Sequence, residues 1–309
     1  MPAGVSFIVT VYNKAPYLPA VIAALAAQVG DFEREFVFVD DGSTDGSAEA
    51  IRERIKGWPN AKLICQSNQG AGGAMNTAAA AASLPFLKMV DADDLLLPKG
   101  TLWLLEALQR YDAVMSYGGA GWYDLGRPVE WPQVAEPPAS GVIEAPLGGL
   151  LRNCTLGPSS MMVRTAVYRE VGGCKLHICT QDYSLQFKLA RRGRFAYVDA
   201  PIALAPRVAP GRNSENTGRM LHDVNLVLYE ALAEIPELTP AQRRYITQRA
   251  AARAFRFRYR RGGTSSLLAS ALRYLRASIR LVVDQRKLVG ATLGDFGVPS
   301  QLRGWRPGS

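Results

Sequence analysis

The 309-residue sequence predicts an α/β fold, in which helices cover both faces of a mostly parallel β-sheet. First, short β-rich apolar runs alternate with segments of helical spacing. Second, these runs are almost continuously apolar, as expected for strands that are buried on both faces. Third, polar residues follow the runs, and ligands of such sheets bind beyond the carboxyl ends of the strands.

Strands and helices are predicted to alternate over the first 124 residues. The predicted strands are "VSFIVTVYN", "EFVFVDD", "AKLICQSN", "PFLKMVDAD" and "AVMSYGGAGWYD". The predicted helices are "YLPAVIAALAAQ", "SAEAIRERIKGW", "TAAAAAS" and "PKGTLWLLEALQRY". The glycine-rich segment "QGAGGAMN" is predicted to be a turn that lets a ligand approach the backbone.

The middle of the chain is less regular. Residues 125–146 are rich in proline and predict a long loop. The rings of Trp122, Tyr123 and Trp131 either stack on sugars or, as is commoner for loop aromatics, pack onto the protein. "PSSMMVRTAVYREVGG" predicts a strand and a short helix, and "RFAYVDAPIALAP" predicts a pair of strands. "TQDYSLQFKLARRG" predicts a helix with Thr180 as its N-cap.

The charge distribution indicates two regions. Residues 1–239 hold 21 basic and 25 acidic residues, whereas residues 240–309 hold 15 basic residues and two acidic ones, a net charge of +13. We therefore predict a sheet domain over residues 1–217 and a basic helical region over 218–309. The last predicted helix is amphipathic: Leu268, Leu272, Leu275, Ile279 and Val282 share one face, and Arg273, Arg276 and Arg280 share another.

The sequence also bears on location. No apolar run approaches the roughly 18 residues of a membrane-spanning helix, and no basic segment with a following apolar stretch marks a signal peptide. We expect a cytoplasmic protein. Its basic helices complete the fold, contact an anionic membrane surface peripherally at the inner face of the cytoplasmic membrane, or pair with a second copy of the chain. Nucleic acid is the less favoured partner, because no nucleic-acid motif accompanies the "FRFRYRR" segment.

The most informative acidic motif is "VDADD". Side chains two apart on a strand point the same way, so Asp91 and Asp93 are predicted to share a ligand. Oxygen-only ligands suit Mg²⁺ or Mn²⁺, which also bind substrate phosphates. A solvated acidic turn is the alternative. Asp182 lies near a helix start, where it either interacts with the helix dipole or acts as a general base.

The ordered set "VTVYN", "VDDGSTDGS", "NQGAGGAMN", "VDADD" and "TQDYSLQ" resembles the family 2 glycosyltransferases over about residues 5–215. The resemblance implies the GT-A fold and an inverting transfer from a nucleoside-diphosphate sugar, a UDP-sugar in the first instance, to a glycan or lipid-linked acceptor. It implies that Asp182 is the catalytic base and that Asp93, with Asp91, binds Mn²⁺ or Mg²⁺. The substrate contacts it implies are Thr10, Val11, Tyr12, Asn13, Asp41, Asn68, Gly70, Asn76, Asp91, Ala92, Gln181 and Arg207.

Two positions depart from the family pattern. Met75 stands where the family usually has an arginine, and Ala209 stands where it often has a histidine. Neutralisation of the leaving diphosphate therefore shifts to the metal, Arg207 and Arg212. Two other classes stay open. A nucleotidyltransferase should have a glycine-rich basic loop after the first strand, where "VYNKAPYLPA" has one lysine and no glycine. A non-catalytic nucleotide- or sugar-binding protein of the same fold is the other.

Overall fold

The computed structural model describes residues 3–151, 156–208, 216–261, 264–279 and 284–298. The chain divides into two compact units. The first comprises Met1–Leu147, Thr155–Leu176 and Leu185–Pro210, and the second comprises Gly148–Cys154, His177–Ser184 and Gly211–Ser309.

One mixed sheet forms the first unit. The strands among the described residues are β1 (Gly4–Val11), β2 (Glu33–Asp40), β3 (Ala61–Cys65), β4 (Phe86–Asp91), β5 (Leu95–Leu96), β6 (Met115–Tyr123), β7 (Ser140–Ile143), β8 (Met161–Arg164) and β9 (Phe195–Pro206). Their order is β3-β2-β1-β4-β8-β6-β9-β5, and β7 pairs with β9. The predicted pair of late strands is a single strand, β9, and the predicted loop over 125–146 contains β7.

Parallel pairing dominates one half of the sheet. β1 lies between β2 and β4 and is parallel to both, and β2 is parallel to β3. β8 runs antiparallel between β4 and β6, while β6 and β9 are parallel. The predicted GT-A architecture, a mostly parallel sheet flanked by helices with a helical C-terminal region, is confirmed.

Helices connect or follow the strands. They are α1 (Leu18–Ala26), α2 (Ser47–Arg54), α3 (Gly70–Ala81), α4 (Gly100–Arg110), α5 (Leu147–Leu150), α6 (Thr165–Glu170) and α7 (Gln181–Leu189). The core of the first unit joins β1 and β4 to α1 and α4 through fully buried side chains such as Val9, Val90, Leu18 and Leu104. This burial fixes which strand ends lie together.

The glycine-rich segment predicted to be a turn is the first part of α3, which begins at Gly70. Glycine is a poor helix former, so propensity alone predicts a turn. Packing explains the glycine at position 73, because a Cβ there would lie 2.5 Å from the Cβ of Gln69. Gly70 itself has a φ of +78°, a conformation that glycine adopts without strain.

Helices form the described part of the second unit beyond residue 216. They are α8 (Thr217–Glu234), α9 (Pro240–Arg261), α10 (Thr264–Ser278) and α11 (Gln285–Thr292). Buried Asn225 of α8 donates through Nδ2 to the carbonyl of Ala250 in α9 at 3.1 Å and to Thr292 Oγ1 in α11 at 2.8 Å. Within the ranges that the structure describes, no helix is both long and apolar enough to cross a bilayer.

The long C-terminal part of the second unit begins at Gly211, close to the predicted boundary at residue 217, and two earlier stretches belong to the same unit. The short stretch His177–Ser184, which carries Asp182, belongs with the C-terminal helices. Its contacts explain this placement, since the Cys179 amide donates to Asp223 Oδ2 of α8 at 2.7 Å and His177 Nε2 lies 2.9 Å from Glu230 Oε1. A boundary predicted from composition does not take account of side-chain contacts between residues so far apart in the sequence.

Candidate functional site

Three parallel strands bring their carboxyl ends together in the first unit. Val11 at the end of β1 is in register with Asp40 of β2, and Thr10 is in register with Asp91 of β4. Parallel strands in register end at one edge of the sheet. The predicted contacts Thr10, Val11 and Asp91 therefore lie side by side, and Tyr12 follows directly with half of its surface exposed.

The two aspartates of "VDADD" are held by a turn. β4 ends at Asp91, and the Asp94 amide donates to the Asp91 carbonyl at 3.0 Å, so Asp93 lies in the turn and not on the strand. The argument that both side chains share one strand face was therefore wrong. Two distant groups fix the turn instead: the Asp91 amide donates to Ser159 Oγ at 2.9 Å, and the Tyr123 hydroxyl donates to the Asp93 carbonyl at 2.8 Å.

The Asp93 carboxylate forms an ion pair with a lysine. Lys14 Nζ lies 2.8 Å from Asp93 Oδ2, and both side chains are largely buried. The Lys14 amide donates to Ser47 Oγ at 2.9 Å, so its backbone is fixed as well. Sequence reasoning missed Lys14, although its position directly after the polar end of β1 placed it at the correct edge of the sheet.

The donor set at this turn fits a hard divalent cation. Asp91 and Asp93 offer carboxylate oxygens, although Lys14 already pairs with Asp93. Among the described residues, no group of three or more His, Cys, Asp or Glu is placed to hold a metal. One or two carboxylates completed by substrate phosphates is the usual arrangement for Mg²⁺. The chemistry of these two carboxylates fits such a cation.

The end of β2 carries two buried carboxylates. Asp41 Oδ1 accepts from Gln66 Nε2 at 2.7 Å and from the Gln69 amide at 2.8 Å. Asp40 Oδ2 accepts from the Ser43 amide, while its buried Oδ1 has no hydrogen-bond partner in the described part of the chain. A buried oxygen without a partner is costly. Asp40 is thus a second candidate to accept a hydrogen bond from a ligand, beside the predicted Asp41.

Asn13 joins the ends of β1 and β2. It has a φ of +51°, which asparagine tolerates better than most residues. Its Oδ1 accepts from the Thr44 amide at 2.9 Å, and its own amide donates to Ser43 Oγ at 2.9 Å. The contacts described for Asn13 are therefore with the loop that follows β2.

The predicted contacts around α3 differ in their surroundings. Asn68 and Gly70 are exposed, and Asn68 Oδ1 accepts from the Gly70 amide at 3.1 Å. Asn76 is used by the protein: its Oδ1 accepts from the Tyr168 hydroxyl and the Cys174 amide, and its Nδ2 donates to the Cys174 carbonyl. Met75 is buried and brings no charge. The assignment of Asn76 to the substrate stays a prediction.

Arg207 lies just beyond the end of β9 and is exposed. Its amide donates to the Tyr123 carbonyl at 2.9 Å, and its Nε lies 3.7 Å from Asp124 Oδ1. Ala209 and Arg212 lie outside the described residues. Of the aromatic residues near the loop, Trp122 and Trp131 are exposed, whereas Tyr123 is buried by its contact with Asp93. Of the two alternatives for these rings, Tyr123 therefore packs onto the protein.

A buried lysine lies beneath the acidic turn. Lys88 of β4 is fully buried, and its Nζ donates to the carbonyls of Met89 and Ser159. Burial lowers the pKa of Lys88 to about 7, although the charges of Asp94 and Asp91 oppose this shift. A lone lysine inside the apolar run "FLKMVD" was the available sequence signal. Ser159 contacts both Lys88 and Asp91, so the lysine helps to support the turn.

Asp182 lies in the first turn of α7, in the stretch assigned to the second unit. Burial raises the pKa of the Asp182 carboxyl to about 6, although the amides of Tyr183 and Asp182 lower it. A carboxylate with a pKa near the working pH is well suited to general-base catalysis. Neighbouring Gln181 is buried, and its Oε1 lacks a hydrogen-bond partner within the described ranges.

The segment before Asp182 is fixed by α8. Thr180 directly precedes α7, as predicted for its N-cap, but its buried hydroxyl finds no hydrogen-bond partner among the residues that the structure describes and so makes no capping hydrogen bond. Asp223 holds the segment instead, with Oδ2 accepting from the Cys179 amide at 2.7 Å and Oδ1 lying 2.7 Å from His222 Nδ1. The sequence motifs do not indicate Asp223, because its partner is 44 positions away.

The chain is similar to known proteins. The model of Glycosyl transferase family 2 matches residues 6–185. An uncharacterized glycosyltransferase of Nostoc sp. is 40% identical over 111 residues, which are 36% of this chain and 34% of that protein. Chondroitin synthase of Escherichia coli is 30% identical over 107 residues, which are 34% of this chain and 15% of that protein. The chain thus spans about a third or less of the length of these relatives.

Solved structures share the fold. S. aureus TarS 1-349 in complex with UDP-GlcNAc has a TM-score of 0.65 and 21% identity, with 97% of this chain and 82% of that chain covered. The mannosyltransferase PcManGT from Pyrobaculum calidifontis, in complex with GDP-Man and Mn²⁺, has a TM-score of 0.58 and 19% identity, with 96% and 88% covered. Since the family model matches more than half of the sequence, the chain belongs to Glycosyl transferase family 2.

Proposed function

We propose that the chain is an inverting glycosyltransferase that moves a sugar from a nucleoside-diphosphate sugar to a hydroxyl of a glycan or lipid-linked acceptor. The observation that carries this proposal is the Asp91–Asp93 turn at the joined ends of β1, β2 and β4, with Lys14 on Asp93. The turn is supported by buried contacts, as expected for a preorganised site.

The edge of the sheet accounts for recognition of the donor. Tyr12 offers an exposed ring for stacking on the base, and Asp41 or Asp40 offers carboxylate oxygens to the base or ribose. Asp91 is assigned to the ribose and Asp93 to the cation. The structural neighbours named above were solved with UDP-GlcNAc and with GDP-Man, which supports a nucleotide-sugar donor without deciding the nucleotide or the sugar.

A bound Mn²⁺ or Mg²⁺ would neutralise negative charge on the diphosphate. Arg207 is the described cation assigned to the same task, because it is exposed and immediately follows β9. Lys14 contributes a fixed positive charge at Asp93. Between them these residues stabilise the leaving group electrostatically, which is usually the largest contribution to catalysis.

Asp182 is the proposed general base. The acceptor oxygen attacks the anomeric carbon from the face opposite the diphosphate, the bond between that carbon and the diphosphate oxygen breaks, and the hydroxyl proton passes to Asp182. A single displacement inverts the configuration. The raised pKa of Asp182, about 6, makes its carboxylate a stronger base than an exposed aspartate while leaving it ionised at neutral pH.

The wider setting is also proposed. Relatives include a succinoglycan biosynthesis protein of Rhizobium meliloti, which supports a role in making cell-surface polysaccharide. A lipid-linked acceptor would place the enzyme at the inner face of the cytoplasmic membrane. The family assignment favours glycosyl transfer over the nucleotidyl transfer that the sequence left open.

Calorimetric titration of UDP tests the donor site. Titrations with Mn²⁺ and with EDTA are run on the native chain, on Asp93→Ala, and on Asp31→Ala, which removes an exposed carboxylate elsewhere in the first unit. We expect binding that requires both Mn²⁺ and Asp93 and is unchanged in Asp31→Ala. UDP release from a panel of UDP-sugars then measures turnover.

If UDP does not bind, the same titrations are run with GDP and dTDP. If none of the three nucleotides binds, the proposed donor site is wrong. Binding without turnover of any nucleotide-sugar, with a range of acceptors, supports the non-catalytic alternative.

A further inference from the structure

Helix α10 presents an apolar row to solvent. Leu268, Leu272 and Leu275 of α10, and Ile279 directly after it, are 65%, 48%, 52% and 51% exposed. Val282, the last residue of the predicted apolar face, lies outside the described residues. The four exposed residues are spaced by four, three and four residues, which aligns them along one side of a helix. We call these four residues the α10 stripe.

The opposite side of α10 is packed against the rest of the second unit. Buried Ser270 donates to Asp295 Oδ2 at 3.2 Å, and Arg273 makes an ion pair with Asp295 at 2.5 Å. The ring of Tyr274 stacks on Phe255 of α9 at a centroid distance of 5.6 Å. These contacts fix the orientation of α10, so the stripe is held outward.

This orientation reverses the usual one. A surface helix normally buries its apolar side and exposes its charged side. Here an arginine pairs inward with a buried carboxylate while three leucines and an isoleucine face water. A contiguous exposed apolar row indicates an interaction surface.

Basic and aromatic residues accompany the stripe. Arg276 is exposed on α10, and Tyr259, Arg260 and Arg261 are exposed at the end of α9. Tyr259 is 69% exposed and lies 6.1 Å from the ring of Phe255, the residue on which α10 stacks. Tyrosine is favoured where one end of a side chain is apolar and the other is wet.

The net charge of the C-terminal region indicates which partner binds the α10 stripe. Residues 240–309 hold 15 basic and two acidic residues, and of the two acids Asp295 is already paired with arginine. A second copy of the chain would bring the same excess of positive charge to the interface, which like-charge repulsion disfavours. An anionic bilayer accepts both features, since leucines enter the acyl boundary and arginines approach lipid phosphates.

We propose that the α10 stripe, with the flanking basic residues of α9 and α10, docks the chain on an anionic lipid bilayer. The stripe would be the surface that the chain uses at the membrane location given above, so this proposal rests on the proposed function. It is tested separately from glycosyl transfer.

Vesicle sedimentation tests the surface. The full chain is incubated with vesicles of phosphatidylcholine alone or of phosphatidylcholine with phosphatidylglycerol, at low and at high salt. The stripe variant is Leu272→Ser with Leu275→Ser, and the matched control is Leu125→Ser with Leu176→Ser, two exposed leucines of the first unit. The charge variant is Arg276→Glu, with exposed Arg52→Glu as its control.

We expect the native chain to bind the anionic vesicles and to be released by salt. The stripe variant should lose about tenfold or more in its partition coefficient, because two leucines no longer contribute apolar burial. The charge variant should bind more weakly to anionic vesicles only, and both controls should bind as the native chain does.

Three outcomes overturn the inference. They are a native chain that does not bind anionic vesicles, a stripe variant that binds as well as its control, and a native dimer that the stripe variant converts to a monomer without any vesicle binding. Light scattering reports the third. UDP titration with Mn²⁺ is run on every variant, so that loss of vesicle binding with nucleotide binding retained is not mistaken for failure of the donor site.

Discussion

Lys14 Nζ lies 2.8 Å from Asp93 Oδ2, across 79 positions of sequence. The ion pair places a monovalent cation on the carboxylate that we assign to a divalent one. A bound metal would therefore compete with Lys14 for Asp93 in the absence of nucleotide. A diphosphate would relieve this competition, because its oxygens accept hydrogen bonds from an ammonium group and also bind divalent cations.

The substitution Lys14→Met should strengthen the binding of Mn²⁺ alone. We expect about a tenfold gain in affinity, equivalent to about 1.4 kcal/mol, because the metal no longer displaces a partly buried ion pair. Titration of free Mn²⁺ by electron paramagnetic resonance measures it. Lys56→Met removes an exposed lysine of the same unit and should change the affinity little. An unchanged or weakened affinity in Lys14→Met would show that Lys14 does not compete with the metal.

The substitution Tyr123→Phe should loosen the acidic turn. It deletes the hydroxyl that donates to the Asp93 carbonyl at 2.8 Å and leaves the ring in place. We expect the affinity for UDP with Mn²⁺ to fall about threefold to tenfold, since one net hydrogen bond is worth about 1 kcal/mol. Calorimetry measures the change.

Tyr111→Phe is the matched control for this turn. The Tyr111 hydroxyl also donates to a backbone carbonyl, that of Ser140 at 2.9 Å, but it lies outside the acidic turn. Both variants should lose similar stability in urea unfolding. If they also lose the same nucleotide affinity, Tyr123 has no special role in positioning Asp93.

The strand ends were predictable because each feature is local. The apolar runs of β1, β2 and β4 stop at Val11, Asp40 and Asp91, and a parallel sheet brings such ends together without further information. Order along the chain then identified the family.

The supports of the site were not predictable. Lys14 meets Asp93 across 79 positions, and Lys88 meets the Ser159 carbonyl across 71. No periodicity reports such pairs. The start of α3 was missed because glycine has a low helix propensity, and the close approach to Gln69 that requires a glycine at position 73 is visible only in the structure. The outward orientation of the α10 stripe depends on Asp295, which follows the helix in sequence and lies beneath it in space.

Transfer should depend on the ionisation of Asp182. Burial raises the pKa of this carboxyl to about 6, and a general base must be deprotonated to act. Activity should therefore rise with pH up to about 6 and level off above it. Asp182→Asn should lower turnover about 10²–10⁴-fold and keep UDP affinity. Steady-state rates of UDP release between pH 5 and 8 measure both effects.

The raised pKa of Asp182 also affects the stability of the folded chain. A carboxyl with a raised pKa disfavours the folded state where it is ionised, so the penalty is absent below its unfolded value and complete above about 6. Asp182→Asn should therefore melt at a higher temperature than the native chain at pH 8, and the difference should shrink at pH 4. Equal melting temperatures at pH 8 would contradict the burial of the charge.

Asp223 should position the segment that carries Asp182. Its carboxylate accepts from the Cys179 amide and contacts the buried His222 ring. Asp223→Ala leaves both groups without their partner, and we expect a loss of about 3 kcal/mol in the free energy of unfolding. Urea unfolding measures it. Asp284→Ala, which removes an exposed helix cap of the same unit, should cost only about 1 kcal/mol.

The variant Asp223→Asn separates a positioning role of Asp223 from a purely structural one, through its stability and the pH profile of its activity. Asp223→Asn keeps an oxygen for the Cys179 amide, so it should recover much of the stability. Burial tends to raise the pKa of Asp223, but hydrogen bonds from His222 and Cys179 outweigh it and lower the pKa. The remaining advantage of the native chain over Asp223→Asn should therefore be complete at neutral pH and disappear as the pH falls below about 4. If Asp223→Asn is fully stable and its activity still shows the native rise near pH 6, Asp223 does not position Asp182.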